Sequence, residues 1–551
     1  MWREFFRYSY IPVSDSVIRL LSLVPGNKND PLRGSFEQGH VGTLPKKKYE
    51  ALSYSWGPQD KPCYIELVEG RIPITFSLHG ALVRLRGKSK GRLLWADAIC
   101  INQDDIVERS QQILLMPQIY SSAFRVVAYL GEEADGSDLA LQLLKNIGET
   151  DFSSLPELAV TPEWLEESGL PGFKDPKWIA LEAFWCRPWF QRIWVVQEVI
   201  LAQDILMICG RQKISWKTFV SAAEKTANFN LLRWSSGSQD TFKRVNEAHS
   251  GSTSMLAMMG VKSSSNLGSS LAYYVRSFCE GDIGTLHQLN THHELDNILP
   301  GLRDLILVLR QAPEMVNLVV QLLVYVIEAC GVSIDLSRSL SMFELLLLFD
   351  ASKASDLRDR FYALVGLAKD CKGENFRPNY SEENKVEHVV HHFTLAFIHK
   401  DQGMKALHLA GLSSEPSPLP SWVPDWTGPG LLQRKSLCAR GILLPSASYS
   451  AATDSPFRIR IGDTPNVLVV SGSLMDIVSW VGMDASGLWS PNSSDLHLLK
   501  PFFDEADEII PPDPEVLYAA TGESMFDAQW RTLIGNRAMN VLGLGLGLGL
   551  G

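Results

Sequence analysis

The stretch Leu93–Gly131, LLWADAICINQDDIVERSQQILLMPQIYSSAFRVVAYLG, decides the fold. It opens on an apolar run, Leu93 to Cys100, broken by one acid, Asp97. The polar turn Asn102-Gln103-Asp104-Asp105 follows. Ile106, Ile113, Met116, Ile119 and Tyr120 then recur near the helical period, and a second apolar run from Arg125 to Leu130 closes at Gly131. Strand, turn, helix, strand is one βαβ unit, whose strands are expected to be parallel and buried on both faces. Ligands of such sheets sit at the carboxyl ends of the strands. The turn at Asn102–Asp105 and the loop after Gly131 are read as lying there.

Outward from this unit, strands and helices keep alternating. Val17–Val24 reads as a strand and Gly26–Pro45 as a loop. Tyr49–Tyr54 reads as the first strand of the main sheet. Tyr64–Phe76 reads as a hairpin turning at Glu69-Gly70, and Ser77 as the cap of a helix Leu78–Arg86. Glu132–Lys177 is polar and Pro-rich, an insertion containing helices. Pro188 sits where a helix can start, with Phe190, Ile193, Trp194, Gln197 and Leu201 on one face. Ile205–Cys209 is the next strand, closed by Gly210. This is the pattern of a doubly wound parallel α/β sheet. After Trp216 the chain turns mainly helical, and from Gly441 to Val481 it turns to strands. The tail from Val541 is a Gly-Leu repeat expected to be disordered. The expected layout is thus an α/β domain over 1–216 with its insertion at about 132–180, a mainly helical region over 217–426, a small mixed β/α region over 427–540, and the tail 541–551.

At 551 residues the chain is too long for one ordinary domain, and 45% hydrophobic with 21% charged residues is the balance of a soluble globular protein. The net charge of −11 argues against nucleic acid as a partner. Eight cysteines without a CxxC pair favour reduced thiols in a cytoplasmic setting. Met315–Ile334 is apolar but contains Glu328, so it reads as a buried or partner-facing helix and not as a stable membrane span. His388 and His392 stand one turn apart with no third ligand evident; they read as ordinary helix residues, and no metal site is expected. The glycines around Gly80 have the wrong spacing for a phosphate loop. Asn492-Ser493-Ser494 is a glycosylation sequon without meaning in the cytosol.

WADAICINQDD…ER…Q…M…IY, with YEALSYSWG (Tyr49–Gly57) before it and RPWFQRIWVVQEVILAQ (Arg187–Gln203) after it, resembles the three blocks of the fungal heterokaryon-incompatibility (HET) domain. Ala96 departs from that family's larger apolar residue, a packing change. SDLRDRFYALVGLA (Ser355–Ala368) and LPSWVPDW (Leu419–Trp426) resemble two further marks of the family, read here as structural. Family members commonly continue with more strands, which leaves the completeness of the last region open. The resemblance implies a protein that triggers or relays programmed cell death after incompatible individuals fuse, with self-association and a protein partner in allorecognition.

The block order is also similar, more distantly, to Toll/interleukin-1 receptor (TIR) domains. That likeness implies a TIR-like (flavodoxin-like) sheet and NAD as substrate, with no resident cofactor. By carry-over, Glu198 stands where a catalytic glutamate cleaves the nicotinamide–ribose bond. Ser55, Trp56, Gly57, Asp97, Asn102 and Trp194 are then the candidate substrate-binding residues. An oxocarbenium-like state forms in such a cleavage, and a carboxylate near the ribose stabilises it. Bland readings stand beside these. Glu198 is a helix acid reaching solvent or Arg192, Asp97 a buried acid bonded to the Asn102 turn, and Glu108 and Arg109 a solvated or inter-helix ion pair. A non-enzymatic self-association module and an inactive family member remain the alternatives at the level of function.

Overall fold

The computed structural model describes residues 7–13, 16–41, 49–152, 161–172, 174–228, 231–232, 258, 340–398, 406–407, 409–410, 418–427, 459–462, 464 and 466–470. The Met315–Ile334 segment, the sequon at Asn492, the Gly-Leu tail and most of 229–339 and 428–540 lie outside them. The described residues fall into two units. One lies within Met1–Leu271 and Leu322–Val389, the other within Ala272–Gln321 and Val390–Gly551.

The first unit is built on a seven-stranded mixed sheet. Its strands are β1 (Val17–Leu23), β2 (Gly34–His40), β3 (Glu50–Tyr54), β6 (Arg92–Trp95), β7 (Arg125–Tyr129), β8 (Ile205–Cys209) and β9 (Gln212–Ser215), in the order β2-β1-β6-β3-β7-β8-β9. The inner four, β6-β3-β7-β8, are parallel. β1, β2 and β9 run antiparallel to their neighbours, so the sheet is mixed and not wholly parallel. Strand β2 occupies the expected Gly26–Pro45 loop. Its GSFEQGH sequence is buried only in part, as suits an edge strand, and gives little apolar alternation to read.

All five residues of β3 are buried, as a central parallel strand requires. Glu50 is among them, and its charge is matched by Arg92 and Arg125 at 2.5–2.8 Å. Two more strands, β4 (Cys63–Leu67) and β5 (Gly70–Ile74), form the expected hairpin. The loop is Val68-Glu69, however, and Gly70 already belongs to β5. Helix α1 (Phe76–Leu85) is capped by Thr75, whose hydroxyl accepts from Leu78 N at 3.3 Å, and not by Ser77.

The run Leu93–Cys100 is not one strand. Backbone pairing ends at Trp95, Ala96 remains extended, and Asp97 starts a single helical turn, α2 (Asp97–Cys100). Asp105 then caps α3 (Ile106–Ser122), accepting from Val107 N and Glu108 N at 3.0 Å each. Glu108 is buried on α3. Its carboxylate takes the Arg19 guanidinium of β1 at 2.5 and 2.9 Å, with side-chain exposures of 1% for Arg19 and 6% for Glu108. The expected ion pair of Glu108 and Arg109, solvated or inter-helix, gives way to this strand-to-helix pair, and Arg109 instead lies over the Tyr380 ring.

Between β7 and β8 come α4 (Ser137–Glu149), α5 (Pro162–Glu167), α6 (Pro176–Trp185), a 3-10 turn (Pro188–Gln191) and α7 (Ile193–Ile200). Phe190 belongs to the 3-10 turn. Arg192 is extended, and the α-helix begins only at Ile193. Phe184, Trp185 and Phe190 pack with Phe219 of α8 (Trp216–Asn228) in one aromatic cluster. Late in the chain, α9 (Met342–Leu348) and α10 (Asp359–Val365) return to this unit. Backbone bonds Ile193 N to Lys353 O (3.0 Å) and Lys353 N to Gln191 O (2.5 Å) tie the return to the start of α7. Gly366, at the end of α10, sits so close that a Cβ would lie 2.4 Å from the Pro117 ring and 2.9 Å from Gln197 Oε1.

In the second unit, residues 390–398 of α11 (Val386–Ile398) bring His391 to the Trp422 ring and Phe397 to Trp426. The Trp422 indole donates to Asn466 O at 2.9 Å. Strands β10 (Ile459–Ile461) and β11 (Leu468–Val470) pair antiparallel.

Candidate functional site

Strand β3 lies at the centre of the parallel set, and its carboxyl end carries Ser53 and Tyr54 into Ser55-Trp56-Gly57. Its neighbour β6 ends at Trp95, two residues before Asp97. The Asp97 carboxylate therefore starts α2 beside that end, where its Oδ1 accepts from Ala98 N at 2.8 Å. Asp97 Oδ2 accepts from the Trp56 indole at 2.9 Å, which ties that half-buried ring to the carboxylate. Asp97 is 9% exposed. Burial raises its carboxyl above the ordinary range, against the opposing pull of Arg192, the Trp56 indole and Ala98 N.

Glu198 enters from α7. That helix is apolar on nearly every side, so its acid is carried inward with Val195, Val196 and Val199. At 1% exposure Glu198 does not reach solvent. The Ser53 hydroxyl donates to its Oε2, and the same Ser53 oxygen accepts from the Trp189 indole N–H at 2.8 Å. Burial pushes the Glu198 carboxyl up to about 7, and the nearby Asp97 charge adds to the rise. Arg192, Ser53 and Tyr120 oppose it. Arg192, extended ahead of α7, donates to Tyr54 O and acts electrostatically on both Asp97 and Glu198. Two buried carboxyls thus share the field of one guanidinium. An unpaired buried charge is costly, so this arrangement favours a proton on one of them.

The other candidates fall around or away from this pair. The Ser55 hydroxyl is buried without a hydrogen-bond partner among the described residues, and Ser55 O accepts from Ser77. Gly57 turns with φ +70 at the surface. Asn102 does not bond the Asp97 carboxylate. Its N–H goes to Glu108 Oε1 at 2.7 Å, and it lines a separate small cleft with Tyr8, Lys61 and Arg71. What binds Asp97 from that turn is Gln103, whose amide donates to Asp97 O at 2.8 Å. Trp194 is engaged by Asp359 of α10, which also accepts from Tyr380 at 2.6 Å. Burial pushes Asp359 up to about 6. Among the described residues, no three His, Cys, Asp or Glu side chains come together as a metal site.

Ser53, Trp189 and Tyr120 were not among the candidate site residues read from sequence. Ser53 had one legible sign, a hydroxyl inside the buried run Ala51–Tyr54. Trp189 had none, because its partner is set by the order of strands in the sheet.

These residues occupy the segment to which the comparisons point. Residues 49–198 match the family model described as Heterokaryon incompatibility protein (HET). Over this segment the chain is similar to the HET domain. Glu198 is the last residue of that match, and Tyr49, at the mouth of β3, is the first. A curated relative, Heterokaryon incompatibility protein 6, OR allele, of Neurospora crassa, is 27% identical over 470 residues. The alignment covers 77% of this chain, which spans about 60% of the relative's length. No solved structure matches the chain. The HET match leaves out β1, β2, β8, β9 and the returning helices α9 and α10, all of which belong to the same unit.

Proposed function

We propose that this protein acts in heterokaryon incompatibility, triggering or relaying cell death when incompatible individuals fuse, and that its HET domain is a TIR-like NAD glycohydrolase. The observation that carries the enzymatic reading is the pair Asp97 and Glu198, held under one guanidinium at the carboxyl ends of β6 and β3. Buried carboxyls whose protonation is raised by burial, gathered at a strand-end site, are a mark of chemistry. Taken alone, the parallel strands run in the order β6-β3-β7-β8, the 2-1-3-4 order of flavodoxin-like sheets, which supports the TIR-like reading. In this reading Glu198 stabilises the ribosyl cation and Asp97, anchored by Trp56, holds the substrate from the neighbouring strand end. The relative's name supports the incompatibility role. The proposed setting is the cytoplasm, with self-association and a protein partner. Among the described residues no helix is long and apolar enough to cross a membrane.

One observation favours a second reading, a non-enzymatic assembly module. Glu198 is 1% exposed, so a ligand reaches it only if the residues around it move. The experiment is NAD loss over time with the full-length chain, beside Glu198→Ala. Turnover that vanishes in a folded variant supports the enzyme. Absence of turnover even under forced oligomerisation leaves the assembly module.

A further inference from the structure

The chain of hydrogen bonds from Trp189 through Ser53 to Glu198 has a fixed direction. An indole N–H only donates, so the bond between Trp189 and Ser53 runs from the indole to the Ser53 oxygen. The Ser53 hydroxyl has one proton, and it is directed at Glu198 Oε2. The second hydroxyl nearby, Tyr120, is not committed in this way. It donates to Leu52 O at 3.2 Å and also faces Glu198, so its proton has two acceptors within reach. The remaining charged groups facing Glu198 are Arg192 ahead of α7 and Asp97 on α2.

We infer that Ser53 and Trp189 are positioning residues that reserve Glu198 Oε2 as an acceptor and leave Oε1 as the oxygen through which Glu198 takes and gives a proton. The inference deepens the proposed hydrolysis and rests on it for its chemical purpose. When the C1′–N bond of a nicotinamide riboside breaks, its electron pair goes to the ring nitrogen and neutralises the pyridinium. The oxygen of a water then bonds to C1′, and the proton it loses goes to Glu198 Oε1; it passes on to solvent in the same movement of the surrounding residues that admits the substrate. A relay that pins one oxygen keeps the other pointed in one direction, and orientation of a reacting group is worth large factors in rate. A hydroxyl that itself accepts a bond is also a better donor, so Trp189 strengthens the Ser53 bond it does not touch at Glu198.

The relay makes a prediction that does not depend on turnover. Hydrogen bonding to a carboxylate favours its charged form, so each break in the relay raises the pH at which Glu198 loses its proton. The measurement is the infrared carboxyl band of the full-length protein across pH, read as the difference from Glu198→Gln. A wild-type midpoint near pH 7 is expected. Ser53→Ala is expected to raise it by about one pH unit, the size of one hydrogen bond to a charged group. Ser53→Thr, which keeps the hydroxyl, is expected to restore the wild-type midpoint. Trp189→Phe is expected to raise it by less. A general loosening of the core lets water in and moves the midpoint down toward the ordinary carboxylate range, the opposite sign. Unchanged or lowered midpoints in folded Ser53→Ala and Trp189→Phe chains overturn the inference. Should Ser53→Ala fail to fold by circular dichroism, Trp189→Phe decides alone. NAD loss measured on the same samples separates the two proposals. Raised midpoints without turnover keep the relay and remove the enzyme, whereas turnover with unmoved midpoints does the reverse.

Discussion

Ser53 and Glu198 stand 145 positions apart in sequence and meet in one buried hydrogen bond, between the central strand of the sheet and the helix that ends the HET match. The bond joins the first and last of the three motif blocks. Its consequences are thermodynamic as well as chemical.

Glu198 makes folding depend on pH. Its carboxyl moves from an ordinary 4.5 to about 7 on folding, so the folded chain binds this proton more tightly than the unfolded chain. The resulting stability is fully present below pH 4.5 and is lost as the pH rises to about 7. The shift corresponds to roughly 3 kcal/mol. Asp359, pushed up to about 6, acts with the same sign at a lower pH. Glu198→Gln, which cannot ionise, is expected to be nearly as stable as wild type at pH 5 and more stable at pH 8. Denaturant melts at the two pH values check this, and parallel losses in both proteins would mean that Glu198 is solvated.

Removing one member of the Arg19–Glu108 pair strands the other. Glu108→Ala leaves a guanidinium at 1% exposure without its carboxylate and is expected to destabilise the chain by about 3–5 kcal/mol. The double change Arg19→Met with Glu108→Leu is expected to recover most of that, since the charge to be matched is gone. A double-mutant cycle by urea denaturation measures the difference, and additive losses would contradict the pairing.

Gly366 is a packing requirement. Ala at this position meets the Pro117 ring and the Gln197 amide and is expected to destabilise by about 1–3 kcal/mol. Pro117→Ala removes the nearest atom, so Gly366→Ala in that background is expected to lose clearly less. Thermal melts of the four proteins decide it.

If Glu198 acts chemically, Glu198→Asp withdraws the carboxylate by one methylene while keeping its charge. The expected loss of NAD cleavage is on the order of a hundredfold. A role confined to assembly predicts near-normal cell death with the same variant, scored in cells expressing the full chain.

Much of this fold was legible because its signals are local. Strand β8 coincides with the run ILMIC, and the buried Met116, Ile119 and Tyr120 follow the helical period of α3. What was misread had competing local signals. Cys100 ends an apolar run that reads as strand, yet the backbone turns at Asp97. Ser77 is the better cap by residue type, yet the helix already begins at Phe76 and Thr75 caps it. Gly34–His40 hides a strand because a solvent-facing edge needs no apolar alternation. At the site, Glu198 stood out as an acid on an apolar helix. Trp189 did not, because only the neighbourhood of β3 and the turn before α7 gives it Ser53 as a partner.

The return of α9 and α10 bears on how such proteins can be recombined. A graft bounded by residues 49–198 would carry Glu108 without Arg19, β7 without its partner β8, and Pro117 and Gln197 without Gly366. A crossover inside 199–341 would likewise part α7 from Lys353 and Asp359. Chimeras between relatives are therefore expected to fold only when both stretches come from the same parent.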